Sequence, residues 1–340
     1  MYNLKKTLKA DIGIDIGASN TSIFSQKFGL LLNESSFVAT IEKGNSNQVL
    51  AIGNSAKIML GKNPKNIKIF HPLKFGEIAS SESVELIISA FLKKAHDLCN
   101  LHHQHLILAI SPSFTKTEQD TLYEAAISSG MKKVYLIEQP LVTALGFNLP
   151  IKSGKGFMIV DIGGGKSTIS IIASENIILS LSLKIGGNFL DKKIIEYIRK
   201  KHNALIGDNS AELLKIKLAS AIPLNQEKKI ELKCFDLISG IPRSIIVTSI
   251  EIRDIILPYL QTISFKIKHL LEQAPPDVIA DIMSRGIFTC GGCTLIQGFS
   301  KLISINCGVP TISSNKPLQV NSYGLSNLLQ NLPEYTSLLF

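Results

Sequence analysis

The sequence predicts an α/β fold built by internal duplication. Three observations carry this. A strand–turn–strand pattern occurs twice, as Asp11-Ile-Gly-Ile-Asp15-Ile-Gly17-Ala-Ser-Asn20-Thr21 and as Ile159-Val-Asp161-Ile-Gly163-Gly-Gly165-Lys166-Ser167-Thr168. After each copy, apolar strands alternate with helical stripes. The 340 residues are 45% hydrophobic and 19% charged, which suits about two packed domains and not a disordered chain.

In the first half, alternating Ile12, Ile14 and Ile16 predict a strand. Gly17 to Asn20 turn the chain, and Thr21 to Ser25, Gly29 to Asn33 and Phe37 to Ile41 continue the meander. Residues 42 to 74 are polar and read as an insertion with one short helix around Ala56 to Leu60. Val84, Ile87, Ile88, Phe91, Ala95 and Leu98 recur at the spacing of an amphipathic helix. Leu106 to Ile110 reads as a strand. Thr115 to Gly130 reads as a helix capped by Ser113 or Thr115. Val134 to Ile137 is a further strand, and Pro140 opens a helix, since proline is tolerated in a first turn.

The second half begins again. Gly156 to Asp161, Ser167 to Ala173 and Ile177 to Lys184 form a second meander, and Gly186-Gly187 open a helix through Lys201. A second insertion carries a helix from Ala211 to Ser220 and a hairpin from Lys228 to Val247, turning at Ser239-Gly-Ile-Pro242. Ile250 to Glu272 reads as a long helix stopped before Pro275-Pro276. Gly286 to Cys290 is a strand, Gly291-Gly292 a tight turn, and Thr294 to Leu302 a helix.

Composition narrows the function. The formal charge of +9 is spread along the chain, which argues against nucleic-acid binding but suits an anionic ligand or membrane face. Met1 to Ala10 hold three lysines and no apolar signal stretch, and no run approaches the ~18 apolar residues of a membrane span. Five sparse cysteines suit reduced thiols, so the expected location is cytoplasmic.

The repeated turns carry the chemistry. Asp15 and Asp161 each end a strand beside a glycine turn, and facing carboxylates of this kind hold hydrated Mg²⁺. Backbone amides of Gly17, Ala18, Ser19 and Asn20, and of Gly163, Gly164, Gly165, Lys166 and Ser167, are placed to meet phosphates. One aspartate alone reads as a strand-end cap; the matched second copy favours a site. Gly163 to Ser167 is not a Walker loop, because Val160 stands where that motif needs glycine. Gly291-Gly292 suits close approach of a nucleoside, though a tight turn explains it too. Cys290-Gly-Gly-Cys293 lacks a second ligand pair for zinc and reads as two buried small residues. His96, His102, His103 and His105 read as a solvated cluster rather than a metal site.

Together these features resemble the actin superfamily, and within it the bacterial MreB family, over nearly the whole chain. Further matches are Leu32-Asn-Glu34, Ile52-Gly53, Val134-Tyr-Leu-Ile-Glu138, Glu196 to Lys201, Ser239-Gly-Ile-Pro242, Glu251-Ile-Arg253 and Arg285-Gly-Ile287. The resemblance implies an actin-like, ribonuclease-H-like fold of four subdomains around a nucleotide cleft. It implies a first half at 1–153 with an insertion near 42–74, a second half at 154–322 with an insertion near 188–250, and a returning segment at 323–340. It also implies ATP or ADP with Mg²⁺ as cofactors, and filaments of self-associated chains, with other MreB paralogues and the inner membrane surface as further partners. Asp15 and Asp161 match the metal-side aspartates. Gly186, Gly187, Lys215, Ile216, Lys217, Leu218, Gly291, Gly292, Cys293 and Thr294 match segments near the nucleotide.

The chain also departs from that pattern. The family's Glu-Glu-Pro is Glu138-Gln139-Pro140, and Gln139 can orient water but cannot take its proton. The family's water-holding threonine is Lys166. Cys293 replaces a glycine, Lys217 a glutamate and Asn188 an acidic residue. The expected function is therefore an ATP-binding filament protein with weak or absent hydrolysis, in which Gln139, Glu138 and Lys166 stand at the catalytic positions. An ordinary hydrolysing filament protein and a non-polymerising regulator are the alternatives. A chaperone ATPase lacks its substrate domain here, and a sugar kinase its general-base motif. Met1, Leu4 and Leu8 with Lys5, Lys6 and Lys9, or the segment from Leu98 to Leu101, are candidate membrane contacts.

Overall fold

The computed structural model describes residues 12–43, 46–71, 73–74, 76–99 and 105–340. The chain packs as two units. One holds the residues up to Gly154, with Ser174–Ile177 and Gln319–Phe340; the other holds Lys155–Ala173 and Ile178–Leu318.

In chain order the first unit contributes β1 (Ile12–Ile16), β2 (Asn20–Ser25), β3 (Gly29–Ser35), β4 (Val38–Lys43), β5 (Ser46–Ile52), α1 (Asn54–Met59), β6 (Ile67–Phe70), β7 (Leu73–Lys74) and β8 (Glu77–Ile78). It continues with α2 (Ser81–Cys99), β9 (His105–Ile110), α3 (Lys116–Ser128), β10 (Lys133–Glu138) and α4 (Gln139–Gly146). The next elements are β11 (Phe157–Ile162), β12 (Ser167–Ala173), β13 (Asn176–Leu183), α5 (Gly187–His202), β14 (Ala204–Leu205) and α6 (Asp208–Leu218). Then come β15 (Lys229–Asp236), β16 (Pro242–Thr248), α7 (Ser249–Glu272), α8 (Pro276–Arg285), β17 (Ile287–Cys290), α9 (Phe299–Cys307) and β18 (Thr311–Ser313). Helix α10 (Val320–Gln330) returns to the first unit.

The duplication is visible in the sheets. The first unit's main sheet runs β3-β2-β1-β9-β10, and the second's runs β13-β12-β11-β17-β18. In each, the strand carrying the repeated aspartate lies centrally, antiparallel to the strand after its turn and parallel to a later strand. That arrangement puts Asp15 and Asp161 near the carboxyl ends of the central strands, where the sheet surface ends and turns begin.

The helical stripe is buried at Val84, Ile87, Ile88, Phe91 and Ala95, as its spacing predicts, whereas Leu98 at its end is 58% exposed. Thr115 caps α3: its hydroxyl accepts from the Glu118 amide at 3.3 Å, and Glu118 reaches back to the Thr115 amide at 2.8 Å. The polar stretch at 42–74 carries its expected short helix as α1, and also strands β5 and β6, which pair with β4 in the order β5-β4-β6; β7 and β8 form a separate two-stranded sheet. Cross-strand pairing builds these strands where one-face hydrophobicity is weak. The helix expected from Thr294 starts at Phe299 instead, because Gly298 at φ 81° breaks the path after a short 3-10 turn. The second unit runs to Leu318, and α10 packs on α4 of the first unit.

Helices α4 and α10 meet at their backbones. A Cβ on Gly324 would land on the Val142 carbonyl, and a Cβ on Gly146 on the Val320 carbonyl. Each glycine thus accepts the other helix's main chain. At the C-terminus, Leu136 and Phe340 exchange two backbone hydrogen bonds of 2.8 and 3.1 Å, extending the edge of β10. Among the described residues no helix is long and apolar enough to cross a membrane. The candidate membrane contacts at Met1 to Lys9 and at Leu101, and His102 and His103, lie outside the described residues.

Gly324→Ala should force the two helices apart. Overpacking of this kind costs about 1–3 kcal/mol, so the first thermal unfolding midpoint is expected to fall by about 5 °C. Differential scanning calorimetry checks it, with Gly207→Ala, an exposed position at φ -89° where a Cβ meets nothing within 4 Å, showing a smaller change.

Candidate functional site

In the first unit the site grows from the end of β1. Gly17 donates to the Asn20 carbonyl at 2.9 Å, closing the turn. A Cβ at Gly17 would sit 2.6 Å from that carbonyl, so the turn needs glycine there. Ser36 ties the turn from behind. Its hydroxyl donates to the Gly17 carbonyl at 2.6 Å, and its amide to the Ser19 carbonyl at 2.9 Å. Ala18 is buried and Asn20 exposed, with the Asn20 amide donating to Asn33 Oδ1 at 3.2 Å.

The Asp15 carboxylate is buried and held by two side-chain amides. Gln139 Nε2 donates to Oδ1 at 3.3 Å, and Asn321 Nδ2 donates to Oδ2 at 3.1 Å. The Thr143 hydroxyl lies 2.8 Å from Asn321 Oδ1 and 2.9 Å from the Gln139 carbonyl. Thr143 follows Gln139 by four residues, so both lie on one face of α4. Glu138, at the N-cap of α4, is half-buried, and burial raises its carboxyl above the usual range.

In the second unit, Gly163 donates to the Lys166 carbonyl at 3.0 Å and closes the second turn. The N-terminus of α5 grips this loop: Gly187 donates to the Gly163 carbonyl at 3.0 Å and Asn188 to the Gly164 carbonyl at 2.8 Å. Gly186 lies so close that a Cβ would meet the Gly164 and Gly163 carbonyls at 2.6 and 2.8 Å. Ser167 is buried and its hydroxyl donates to the Ile185 carbonyl at 2.6 Å. Gly165 is buried and Lys166 part-exposed. Asp161 lies against Gly291, whose φ of 85° and missing Cβ leave room for its carboxylate. Gly292 opens the following turn, and Thr294 donates its hydroxyl back to the Gly291 carbonyl at 2.7 Å.

Behind the loop is a buried ionic cluster. Lys215 Nζ donates to Asp191 Oδ2 at 2.7 Å and to the Gly187 carbonyl at 3.0 Å. Asp191 Oδ1 is buried without a hydrogen-bond partner. Burial pushes the Asp191 carboxyl up to about 6; Lys215 opposes the shift, and Glu212 and Asp208 add to it. The buried Cys293 thiol donates to the Gly163 carbonyl at 3.7 Å, and burial pushes it up to about 11. Of the neighbours on α6, Ile216 and Lys217 are exposed, whereas Leu218 is 1% exposed in the unit's core.

The structure therefore gathers Asp15, the 17–20 turn and Gln139 in one unit, and Asp161, the 163–167 loop, Gly186, Gly187, Lys215 and Cys293 in the other. Asn321, Thr143, Ser36 and Asp191 were not anticipated. Asp191 follows Gly187 by four residues, a helical spacing that places it on the loop-facing side, and Thr143 stands in the same relation to Gln139. No local motif marks Asn321. Among the described residues no group of three or more His, Cys, Asp and Glu is arranged to hold a metal ion. A Mg²⁺ that keeps its waters and takes phosphate oxygens requires no such group. Asp15 and Asp161, carboxylates at the ends of the central strands beside their turns, fit that demand.

Comparison with known proteins places the chain. It matches the family model of the MreB/Mbl protein over residues 9–337. It is 36% identical over 322 residues to the cell shape-determining protein Mbl of Bacillus subtilis (strain 168), covering 95% of this chain and 96% of the relative. It is 33% identical over 333 residues to the cell shape-determining protein MreB of Escherichia coli (strain K12), covering 97% and 96%. Among solved structures, MreB5 of Spiroplasma citri bound to ADP matches with a TM-score of 0.89 at 30% identity, covering 97% and 98%. The AMPPNP-bound form of that protein matches equally. The chain of the MamK double helical filament, at 18% identity and a TM-score of 0.78, shares the fold. The duplicated α/β architecture is thus the actin-like fold.

The Asp191 cluster makes a pH prediction. A raised carboxyl means that the native state binds more protons than the unfolded state between about pH 4 and about 6, so this group's contribution to stability falls as pH rises through that window. Carboxyl-carbon NMR should show Asp191 titrating near pH 6, with a higher midpoint in Lys215→Met. A midpoint at the ordinary aspartate value in both proteins contradicts this.

Proposed function

The chain belongs to the MreB/Mbl family, and from that premise we propose that it is a cytoskeletal protein that binds ATP with Mg²⁺, assembles with copies of itself into filaments, and hydrolyses ATP slowly or not at all. The observation that carries the slow-turnover reading is the bond from Gln139 Nε2 to Asp15 Oδ1. An amide that donates to a carboxylate is fixed in orientation and carries no basic atom. General-base catalysis contributes about 10²–10⁴-fold, and that contribution is missing at position 139.

Nucleotide binding is supported by the nucleotide-bound structures of Spiroplasma citri MreB5 and by the turns that end at Asn20 and Ser167. In this reading the two turns take phosphate oxygens, Asp15 and Asp161 hold the hydrated cation, and the cation when bound offsets phosphate charge. Lys166 adds a positive charge on the loop where the family carries a hydroxyl, which strengthens binding without supplying a base. Filament assembly, in cell shape or motility, follows from family membership. Co-assembly with related MreB chains and contact with the inner face of the membrane extend the same reading, in keeping with a net charge of +9.

One observation favours ordinary turnover instead. Glu138 is a half-buried carboxylate with a raised pKa next to Gln139, a state suited to a general base. Phosphate release separates the two readings. Steady-state release by filaments in Mg²⁺ is expected to be near background, and Gln139→Glu with Lys166→Thr to raise it at least about tenfold. Release at an ordinary family rate by the unaltered chain, or no gain in the double variant, overturns slow turnover. Electron microscopy with and without ATP tests assembly; absence of filaments in both conditions favours a non-polymerising regulator.

A further inference from the structure

Asn321 lies 306 residues from Asp15 in sequence, yet its amide reaches the Asp15 carboxylate. We propose that Asn321 is a positioning residue which, with Gln139, clamps both oxygens of Asp15 and makes nucleotide binding by this chain less dependent on Mg²⁺. The proposal rests on the nucleotide-binding reading above.

The clamp has four parts. Gln139 holds Oδ1 and Asn321 holds Oδ2. Thr143 stands 2.8 Å from the Asn321 side-chain oxygen and 2.9 Å from the Gln139 carbonyl; its single proton, given to Asn321 Oδ1, holds the Asn321 amide nitrogen toward Asp15. The glycine crossing of α4 and α10 brings these three residues to β1. The three elements β1, α4 and α10 all belong to the first unit, so the clamp is complete within it.

Its physical effect is on charge. A buried carboxylate beside a polyphosphate repels it unless a cation stands nearby. Two amide donors stabilise the carboxylate without a cation. They also take up acceptor capacity on both oxygens, for which cation-bound water must compete. The clamp therefore lessens the need for Mg²⁺ and does not forbid it. It depends on glutamine at 139, because a glutamate there would remove one donor and set a second charge against Asp15.

The test compares two affinities within each protein. Binding of a fluorescent ATP analogue to the full chain is measured with excess Mg²⁺ and again with EDTA, and the ratio of the two Kd values is the readout. That ratio is expected to widen about tenfold in Asn321→Ala, the scale of one hydrogen bond to a charged group. Asn321→Asp, nearly the same size, should widen it at least as much by adding a charge, and Thr143→Val should widen it less. A change in fold stability that weakens both affinities alike leaves the ratio unmoved. If Asn321→Ala does not fold, the aspartate variant decides. Ratios within twofold of the unaltered chain, with binding intact, overturn the clamp alone. Failure of the unaltered chain to bind the analogue in either condition overturns the nucleotide reading and the clamp with it.

Discussion

The first unit's site depends on the backbone contact between α4 and α10. Gly146 and Gly324 each sit where the other helix's carbonyl takes the place of a side chain. This near approach has a chemical consequence. Helix α4 carries Gln139 and Thr143 on one face, and α10 carries Asn321 near its start. With helices at an ordinary separation of 8–10 Å, side chains would fill the gap. At this crossing the amide and hydroxyl groups reach one carboxylate instead. The apolar neighbours agree with this: Val142, Leu145, Leu325 and Leu328 are all buried, so the crossing is anchored by burial on both helices.

The second unit reaches a comparable end by a different route. Its loop is held by the first amides of α5, which donate to the carbonyls of Gly163 and Gly164. Helix N-termini commonly present such amides to anions. Here the Gly187 and Asn188 amides serve the loop. Gly186 and Gly187 thus act on the loop from behind; the part-buried Lys215 donates to the Gly187 carbonyl of α5, and the buried Cys293 thiol to the Gly163 carbonyl of the loop. An incompletely satisfied Asp191 beneath them, with one oxygen unpartnered, concentrates charge where the protein interior resists it. The second loop is therefore coupled to an ionic pair, whereas the first is tied by the neutral hydroxyls of Ser36 and Thr21.

What could be read from sequence divides along the range of the forces involved. The repeated aspartate turns were legible because strand, glycine and turn lie within ten residues, and the sheets repeat the order that the duplication implies. Helix α2 was legible because its apolar stripe follows the helical period. Strands β5 and β6 were not, because Ser46–Ile52 and Ile67–Phe70 carry short, mixed patterns that only pairing with β4 completes. The start of α9 differs from the expected one because a 3-10 turn from Gly292 resembles a helix start in sequence, and the one local break is Gly298. Asn321 was illegible for the same reason that it matters. Its partner is 306 residues away, and the geometry joining them is set by two glycines that look unremarkable in sequence.

In the reading proposed above, the two departures implied by the resemblance act in one electrostatic direction. Gln139, where a glutamate is expected, sets no negative charge beside Asp15, and Lys166, where a threonine is expected, carries a positive charge on the other loop. Both would favour a bound polyanion, and neither would offer an atom that gains basicity as water attacks. Interactions of equal strength in the ground and transition states tighten binding without raising turnover. On the proposed reading, the nucleotide then acts chiefly as a ligand of the folded chain, stabilising whichever conformation binds it by an amount that grows with the logarithm of its concentration over Kd. A filament protein built this way would be governed by nucleotide occupancy, and its assembled state would outlast the interval that hydrolysis sets in a faster relative.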